Sequence, residues 1–458
     1  MIELLGSLKT KRVSQNNFEI PILDLKEGVN NLPDYIIIKN SNSFKIYDRI
    51  CNHQGGRIIF KDKKYICPMH NWSFDPLSGK YLNGIKKKQC NFEIINEKLV
   101  VTRHEIKPVI SSTSNKNDTI IRFFNHAFLN VKSEKFNFCI DPWAIGPAFN
   151  NGWWLKFKTK NDWMKKIDAS DFIFISHNHP DHLNEYTLKH INKNKTILVP
   201  NFKSDSTGSL LEKIKFKNVK RLDFMKEYKL KGSNLIFSVL KSGDFREDSG
   251  LYFSNGKFSC LFDVDSNNIN FGNVPEVDLY ASSFAGGASA FPLMFDNYTH
   301  DEKLKIIKKD RLFRLITKKQ LIKKMKPNYF LPYASFFKEH SKRDSYIFKY
   351  NKKNNISDYY NQSKELNYKL IDVTKKDELK FNGNYLESSK NINLPFSKDK
   401  SYSYYITALK KKYLNISTDY IKEYFEKSNF KSNLVVYIML TDDSFSKNIF
   451  SFKVDFSK

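Results

Sequence analysis

Two short motifs near the amino end of the chain combine cysteine and histidine at spacings that suit a metal centre. They are Cys51-Asn52-His53 and Cys67-Pro68-Met69-His70, and thirteen residues separate His53 from Cys67. Two thiolates and two imidazoles are the ligands of a Rieske [2Fe–2S] cluster, in which two histidines replace two cysteines on one iron. A structural zinc site is the alternative. We therefore expect Cys51, His53, Cys67 and His70 to hold a metal centre, and a Rieske cluster there would carry single electrons.

The residues around these motifs favour the cluster over zinc. The second motif runs on as CPMHNWSFD and is followed by the turn DPLSG, so both ligand pairs are expected in loops between strands. This pattern resembles Rieske ferredoxins and the Rieske domains of oxygenases. Gly56 and Met69 stand where respiratory-chain Rieske proteins carry an extra pair of cysteines. The resemblance is therefore to the electron carriers that supply oxygenases.

A second concentration of ligand-type side chains follows a predicted strand over residues 171–176. The run is His177-Asn178-His179-Pro180-Asp181-His182. Alternate residues of an extended chain point the same way, so His177 and His179 are expected to converge. Asp181 and His182 can turn in at the next bend. We predict that these four side chains form a catalytic metal site.

This second run resembles the metallo-β-lactamase fold, an αββα sandwich that places metals at one edge of its sheets. The resemblance implies further ligands from later loops, with Asp265 as a bridging carboxylate and His340 as the last histidine. The intermediate histidine is missing from residues 242–248, where Asp244 is the candidate replacement. Mixed histidine and carboxylate ligands suit non-haem iron. His126 either lines this pocket or is an ordinary core histidine.

The two sites together indicate redox chemistry, because a hydrolase requires no electrons. Their order resembles that of Rieske oxygenases, in which the cluster passes electrons to a mononuclear iron that binds O2. The expected cofactors are therefore a [2Fe–2S] cluster and a mononuclear non-haem iron. Zinc or a pair of metal ions is the alternative for the second site.

The elements that must position these residues predict an α+β multidomain chain. Strands are predicted over 137–140, 235–240 and 258–262, and helices over 301–325 and 417–427. The Lys- and Asn-rich stretch 351–366 is expected to be an exposed excursion without a function. The expected domains are a Rieske β domain (1–108), a polar linker (109–118), a metallo-β-lactamase-like αββα domain (119–350) and a C-terminal extension packed on the catalytic domain (351–458).

The composition limits the partners. The formal net charge is +27 over 458 residues, which would attract anionic ligands. The alternative is compositional drift in an AT-rich genome, because the lysines are scattered in twos and threes. The sequence has no nucleic-acid-binding motif, no apolar run of transmembrane length and no secretory signal. We therefore expect a cytoplasmic protein with neither a nucleic-acid partner nor a membrane span.

Four further segments resemble a single family. They are DPWAIGPAFNNGWW (141–154), SFAGGASAFP (283–292), YIKEYF (420–425) and NLVV (433–436). Together with the two metal motifs, they resemble the CMP-N-acetylneuraminate hydroxylases. The first two segments are long, which makes this resemblance specific.

The family resemblance implies a monooxygenase that converts the N-acetyl group of a CMP-sialic acid to the N-glycolyl form. It implies O2 and a separate small electron donor, either a b-type cytochrome or a ferredoxin with its reductase. The candidate substrate contacts are Trp143, Trp153, Trp154, Gly286 and Gly287. The alternative for the three tryptophans is core packing, and the alternative for the two glycines is a tight turn.

Three other functions remain open from the sequence. The first is a metal-dependent hydrolase whose Rieske module senses redox state. The second is an O2-reducing electron-transfer protein that resembles flavodiiron proteins. The third keeps the hydroxylation but acts on another nucleotide-activated N-acetylated sugar. Metal content separates the hydrolase, which would hold zinc in its second site, from the iron-dependent enzymes.

Overall fold

A computed structural model describes most of the chain, which divides into two units, residues 1–398 and 399–458. The described residues are 4–8, 11–14, 18–41, 43–53, 56–68, 71–101, 104–107, 118–272, 274–286, 290–340, 344–391, 395, 402–413, 417–428, 430–442 and 446–457. Three predicted features lie outside them: His70, Gly287 and all of the predicted linker except Asp118.

The amino-terminal part of the first unit consists of short antiparallel strands. Three small sheets run in the orders β4-β5-β6, β10-β9-β8-β7 and β11-β12-β3, and β2 pairs with β13. The strands are β1 (Leu4–Leu8), β2 (Lys11–Ser14), β3 (Phe18–Pro21), β4 (Gly28–Asn31), β5 (Tyr35–Asn40), β6 (Ser43–Asp48), β7 (Ile59–Lys61), β8 (Lys64–Ile66), β9 (Ser73–Asp75), β10 (Lys80–Tyr81), β11 (Phe92–Ile95), β12 (Lys98–Val101) and β13 (His104–Lys107), with a 3-10 helix over Ile22–Asp24.

Strand β5 divides this part into two small cores, because successive side chains of a strand face opposite ways. Ile36 and Ile38 pack in one core, which also contains Cys51 and Cys67. Ile37 packs in the other core, on the opposite side of the strand. The predicted cluster loops therefore rest on a hydrophobic base of their own.

Two eight-stranded sheets form the rest of the first unit. The first has the order β20-β19-β18-β16-β15-β14-β29-β30, and the second β1-β21-β22-β23-β24-β25-β26-β28. Their strands, with the short pair β17 and β27, are β14 (Asp118–Asn125), β15 (Phe128–Ser133), β16 (Phe136–Ile140), β17 (Trp153–Leu155), β18 (Phe172–Phe174), β19 (Thr196–Pro200), β20 (Asn218–Leu222), β21 (Glu227–Leu230), β22 (Ile236–Lys241), β23 (Ser249–Ser254), β24 (Ser259–Val264), β25 (Leu279–Ser283), β26 (Tyr329–Tyr333), β27 (Phe337–Glu339), β28 (Lys369–Leu370), β29 (Lys376–Asn382) and β30 (Tyr385–Asn391).

Helices cover the outer faces of both sheets. Side chains of α1, α2 and α3 pack with the outward-facing residues of the first sheet, and Leu321, Ile322 and Met325 of α4 belong to the same hydrophobic cluster as residues of the second sheet. The layers are those of the predicted αββα sandwich. The helices are α1 (Trp163–Asp168), α2 (Glu185–Leu188), α3 (Ser206–Lys213), α4 (His300–Met325), α5 (Ser345–Tyr350) and α6 (Tyr360–Leu366), with 3-10 helices over Ile269–Gly272 and Ile356–Tyr359.

The central core lies between the two sheets, as the alternation along β16 shows. Phe138 and Ile140 face the core shared by both sheets, whereas Cys139 faces the helical layer. Helix α4 is 26 residues long, but it is rich in lysine. None of the helices in the described part of the chain combines the length and the apolar character needed to cross a membrane.

One end of the sandwich collects the predicted metal ligands. Strands β16 and β18 are parallel neighbours, so the residues after their carboxyl ends, Asp141 and Ser176, meet at one edge. The turn from β14 to β15 lies at the same edge and contains His126. On the second sheet, the loop after β22 and the end of β24 contribute residues 242–248 and Asp265.

The second unit, residues 399–458, has its own small set of elements. Helices α7 (Tyr402–Tyr413) and α8 (Thr418–Glu426) precede an antiparallel pair of strands, β31 (Val435–Thr441) and β32 (Asn448–Asp455). The side chain of Ser417 caps α8 by accepting a hydrogen bond from the Tyr420 amide.

The observed boundaries differ from the predicted ones at two places. Strand β1 pairs with β21, so the first residues of the chain extend the sheet of the sandwich rather than the cluster-bearing part. Strands β29 and β30 extend the other sheet beyond residue 350. The stretch 351–366 was wrongly expected to be a mere exposed excursion, because Tyr359 is fully buried and donates a hydrogen bond to the Phe284 carbonyl.

Candidate functional site

Two tight loops hold the predicted cluster ligands. The Cys51 amide donates to the Gly56 carbonyl at 2.6 Å, and the Cys67 amide donates to the Trp72 carbonyl at 2.9 Å. Each loop thus folds back on itself directly at its cysteine. The ring of His53 stacks on Trp72, with 4.6 Å between centroids and an angle of 1° between planes.

The chemistry of the two thiols fits a metal cluster. Cys51 and Cys67 are both buried, and a hydrogen bond from Cys67, followed by the amide of His53 and the hydroxyl of Tyr81, lowers the pKa of Cys51 to about 7 against the opposing effect of burial. The thiolate is the form that binds metals. Cys51 and Cys67 are therefore buried neighbours, and the lowered pKa of Cys51 favours its thiolate. They fit the two thiolate ligands that a Rieske cluster requires.

A buried lysine supports the first cluster loop. The Lys87 ammonium donates to the Asp48 carboxylate at 2.7 Å and to the Ile50 carbonyl at 2.5 Å. The Asn52 amide in turn donates to the Tyr81 hydroxyl at 3.0 Å. These contacts fix the backbone on both sides of Cys51.

The second run forms two groups of ligand atoms side by side. His177, His179 and Asp265 make up the first group, and ligand atoms of Asp181, His182 and His126 make up the second, with the atoms of each group within 4.8 Å of one another. His182 Nε2 joins the groups, because it lies 3.4 Å from a carboxylate oxygen of both Asp181 and Asp265. The arrangement has room for one metal ion in each group.

Charge is concentrated in this cluster. Burial alone would lower the pKa of His182, but Asp181, Asp265 and Asp141 outweigh burial and hold that pKa well above its usual range. Burial and the neighbouring histidines His182 and His179 keep the pKa of His177 well below its usual range. The carboxylates around His182 therefore favour a positive charge at that position, whether from a proton or from a metal ion. His177 is instead favoured in its neutral form, which is the form that binds metals.

Several buried polar atoms of the cluster lack hydrogen-bond partners among the described residues. They are Asp181 Oδ1, His182 Nε2 and His126 Nδ1. Leaving a buried polar atom unpaired is costly, and a metal ion satisfies such atoms directly. These residues therefore fit a metal centre in two ways: their side chains are of the types that bind metals, and their unpaired buried atoms would gain a partner from the ion.

Asp141 orients His182 by a hydrogen bond to the ring nitrogen that faces away from the other ligands. Its carboxylate accepts hydrogen bonds from the Ser176 amide and hydroxyl at 2.7 and 2.6 Å, and from His182 Nδ1 at 2.9 Å. With Nδ1 donating, Nε2 of His182 is free of its proton when a metal binds. Asp141 itself has a φ of 42°, a strained conformation that the surrounding contacts maintain.

A buried ion pair anchors the loop that carries Asp265. The Lys318 ammonium, from α4, donates to the Asp263 carboxylate at 2.6 Å, and the Ser282 hydroxyl donates to the same oxygen at 2.9 Å. Two residues later, Asp265 is only half-buried. Asp265 and the half-buried His179 therefore form the open side of the cluster.

Two predicted ligands take other positions. Asp244 accepts hydrogen bonds from Arg246 and Asn267, both at 2.9 Å, and belongs to neither group of ligand atoms. His340 is exposed beside Trp154 and lies outside both groups as well. Their roles as ligands remain predictions, because neither belongs to the groups of converging ligand atoms and Arg246 pairs with Asp244.

The candidate substrate residues differ in how deeply they are buried. Trp143 and Trp154 are buried, and their indole N–H groups donate to the carbonyls of Gly146 and Asn151. Trp153 is half-buried and stacks on Phe337, with centroids 3.6 Å apart. Gly286 has a φ of 71°. Trp153 is therefore the most accessible of the three tryptophans, although Phe149 also contacts its ring, with centroids 4.5 Å apart.

Sequence reasoning missed two residues of the site and left a third undecided. Asp141 was read only as part of a longer motif, and Asp248, whose carboxylate lies 3.7 Å from His177 Nε2, was not considered. His126, whose Nε2 lies 3.0 Å from Asp181, was left between two roles. A carboxylate directly after a core strand was the available signal for Asp141, because carboxyl ends of parallel strands share an edge.

Comparison with known proteins identifies the cluster-bearing part of the chain. The Rieske [2Fe-2S] domain model matches residues 20–92, so the cluster site belongs to a Rieske domain. A solved structure of CmlA, a diiron beta-hydroxylase from Streptomyces venezuelae, is 16% identical, covers 59% of this chain and 55% of its own, and has a TM-score of 0.40.

Curated relatives match over nearly the whole chain. The cytidine monophosphate-N-acetylneuraminic acid hydroxylase of Gorilla gorilla gorilla is 30% identical over 472 residues, which cover 93% of this chain and 78% of the relative. The enzyme of the same name from Cricetulus griseus is 30% identical and covers 92% of this chain and 82% of its own length. The chain belongs to the cytidine monophosphate-N-acetylneuraminic acid hydroxylase family.

Proposed function

We propose that this protein is a monooxygenase that hydroxylates the N-acetyl methyl group of CMP-N-acetylneuraminate, or of a closely related nucleotide sugar, to the N-glycolyl form. One observation carries the proposal. A Rieske domain and a buried cluster of histidines and carboxylates occur in one unit of the chain, and their loops are in contact through Asn52 and Phe245. A hydrolase has no use for an electron carrier beside its metal site.

The proposal assigns each site a task. Cys51, His53, Cys67 and His70 would hold the cluster, which supplies single electrons when bound. His177, His179, Asp181, His182 and Asp265, joined by His126, would hold iron, which supplies the binding and reduction of O2. The two adjacent groups of ligand atoms support two ions rather than the single iron expected from the sequence.

The protein residues contribute positioning and shielding from water. Asp141 holds His182 with its Nε2 toward the other ligands. Trp143 packs edge-on against His126, with 5.2 Å between the rings, and Phe149 lies 6.0 Å from the ring of His179. Trp143 therefore shields the buried side of the cluster from water, which protects a reaction on an unactivated methyl group, whereas Phe149 lines its open side.

A cavity next to the site supports an anionic substrate. Its volume is about 490 Å³, within the usual range for small-molecule sites, and Phe284, Phe337, Lys156 and Lys353 are among its lining residues. Lys353 is paired with Glu339 at 2.6 Å, whereas burial lowers the pKa of Lys156, so Lys156 is the lining cation that an anionic substrate would stabilise. Phe337 also lies 6.0 Å from His126, which brings the cavity wall to the metal site.

The test is a direct assay of the reaction. Iron-replete protein purified without O2 is incubated with CMP-N-acetylneuraminate, O2 and a general reductase system, and the product is weighed by mass spectrometry. A gain of one oxygen atom is expected. An unchanged substrate, with the cluster reduced and iron present in the second site, would exclude this substrate and direct the assay to other activated N-acetyl sugars.

Metal analysis tests the cofactor assignment independently. Two iron atoms in the cluster and two in the second site are expected, whereas three irons in total would favour a single second-site ion. Two irons with zinc would support the hydrolase instead. The electron donor is proposed to be a separate b-type cytochrome or ferredoxin with its reductase, and cytoplasmic location remains part of the proposal.

A further inference from the structure

One loop of the sandwich touches both metal-binding regions. We call it the bridging loop, residues 242–248, between β22 and β23. At its centre, the Phe245 amide donates a hydrogen bond to the Asn52 carbonyl at 2.9 Å. Asn52 lies between Cys51 and His53, so this bond joins the loop directly to the first cluster motif.

The Phe245 ring continues this contact. It lies 6.1 Å from the His53 ring and 5.6 Å from the Trp72 ring, and the planes deviate by only 19° and 20°. Phe245 remains 47% exposed. About half of the ring is therefore buried, and the part that is buried stacks on both aromatic rings of the cluster loops, a geometry that suits a positioning role.

The residues that follow reach the histidine and carboxylate cluster. Arg246 is paired with Asp244 at 2.9 Å and with Asp248 at 3.0 Å, and its guanidinium donates to the Asp265 carbonyl at 3.4 Å. Asp248 in turn lies 3.7 Å from His177 Nε2. Within four residues, the bridging loop therefore contacts Asn52, next to His53, and reaches His177 and Asp265 of the second site.

Other contacts hold the two regions together in the same chain. The Lys309 ammonium of α4 donates to the carbonyl of Pro68, in the second cluster motif. Strand β1 pairs with β21, with Leu4 opposite Leu230. Both cluster motifs thus contact the sandwich of their own chain.

From these contacts we propose that the bridging loop couples the two sites within one chain, and that Phe245 is the residue that positions the cluster loop for electron transfer. This inference rests on the proposed function. Hydroxylation of one methyl group consumes one O2, two electrons and two protons and yields one hydroxyl group and one water. Each electron enters from the external donor and crosses the bridging loop singly, so the loop is used twice in each turnover.

The first experiment measures cluster reoxidation rather than product. The cluster is reduced without O2, the protein is mixed with O2 and CMP-N-acetylneuraminate, and the visible absorbance of the cluster is followed by stopped flow. Phe245→Ala is expected to slow reoxidation by about tenfold to a hundredfold, because displacements of about 1 Å have costs of that order. Phe245→Tyr, which keeps the ring, is expected to restore the rate.

Matched controls separate positioning from damage. Phe60→Ala removes an aromatic ring of similar exposure, 51%, from β7 of the Rieske part and is expected to leave the rate unchanged. The iron content and the electron paramagnetic resonance spectrum of the reduced cluster should be the same in all variants. A Phe245→Ala rate equal to that of the unchanged protein, with these controls satisfied, would overturn the proposal.

A mixing experiment distinguishes transfer within a chain from transfer between chains. A His53→Ala variant, defective at the cluster, is combined with a His177→Ala variant, defective at the second site. Activity no greater than the sum of the separate variants is expected, whereas recovery of turnover in the mixture would overturn transfer within one chain. Reoxidation by O2 alone is compared in parallel, so a wrong substrate assignment is distinguished from a wrong route.

Discussion

The role of Asp141 gives the sharpest prediction about the second metal site. Asp141→Asn keeps the size of the side chain but removes the charge that holds the Nδ1 proton of His182. If the new amide presents its NH2 group to Nδ1, the proton of His182 moves to Nε2 and blocks the position that faces Asp181 and Asp265. Either orientation weakens the ligand.

The expected magnitude follows from the class of contact. Loss of a carboxylate behind a metal-bound histidine typically costs about 10- to 100-fold in metal affinity, or about 1.4 to 2.8 kcal/mol. The two hydrogen bonds from Ser176 to Asp141 also lose their charge, so the free energy of unfolding should fall together with metal affinity. The affinity is measured by competition with a chelator, and the cluster absorbance serves as an internal check on folding.

Asp278 provides a matched control for this substitution. It accepts hydrogen bonds from the amide and hydroxyl of Ser259 at 2.8 and 2.9 Å, the same pattern that Asp141 makes with Ser176, but it contacts no metal ligand in the described structure. Asp278→Asn should therefore leave metal affinity unchanged. Equal metal affinity in Asp141→Asn and the unchanged protein would refute the reasoning.

Three further substitutions test other parts of the structure. Lys87→Gln leaves the Asp48 carboxylate without its cation beside the cluster loop, so a potentiometric titration of the cluster should give a lower reduction potential, and an unchanged potential would contradict the assigned contact. His126→Ala should weaken chelator-resistant metal binding at the second site whereas His340→Ala should not, and the reverse order would restore the sequence-based ligand assignment. Burial raises the pKa of Glu227, so the stability contributed by its protonated form is present below the usual glutamate pKa and is lost as pH rises through the raised value. Glu227→Gln should therefore increase the free energy of unfolding at pH 8 but not at pH 4, and a uniform effect across this range would count against the burial argument.

The metal ligands were predictable wherever metal chemistry constrains neighbouring residues. His177, His179, Asp181 and His182 lie within six positions, so the alternation of an extended chain brings His177 and His179 together and the turn that follows brings in Asp181 and His182. The strand over 137–140 and the helix over 301–325 were also predicted nearly as they occur. In each case the relevant interactions are local in sequence.

The remaining site residues depend on long-range packing. His126 meets Asp181 from 55 positions away, and Asp141 meets His182 from 41 positions away. Their proximity follows from the order of strands in the first sheet, which periodicity alone does not specify. The contact of Phe245 with His53 depends in addition on how the Rieske part rests on the sandwich, and no local pattern encodes it.

The central claim is that O2 is the source of the new oxygen atom and that both metal sites are needed to insert it. The most direct measurement is a reaction of the reduced protein with CMP-N-acetylneuraminate under ¹⁸O2, with the product analysed by mass spectrometry. The account predicts one ¹⁸O atom in the former N-acetyl methyl group, and no such product from His177→Ala or Cys51→Ser. Release of CMP or acetate without incorporation of ¹⁸O, at a rate unaffected by Cys51→Ser, would contradict it and establish a hydrolase.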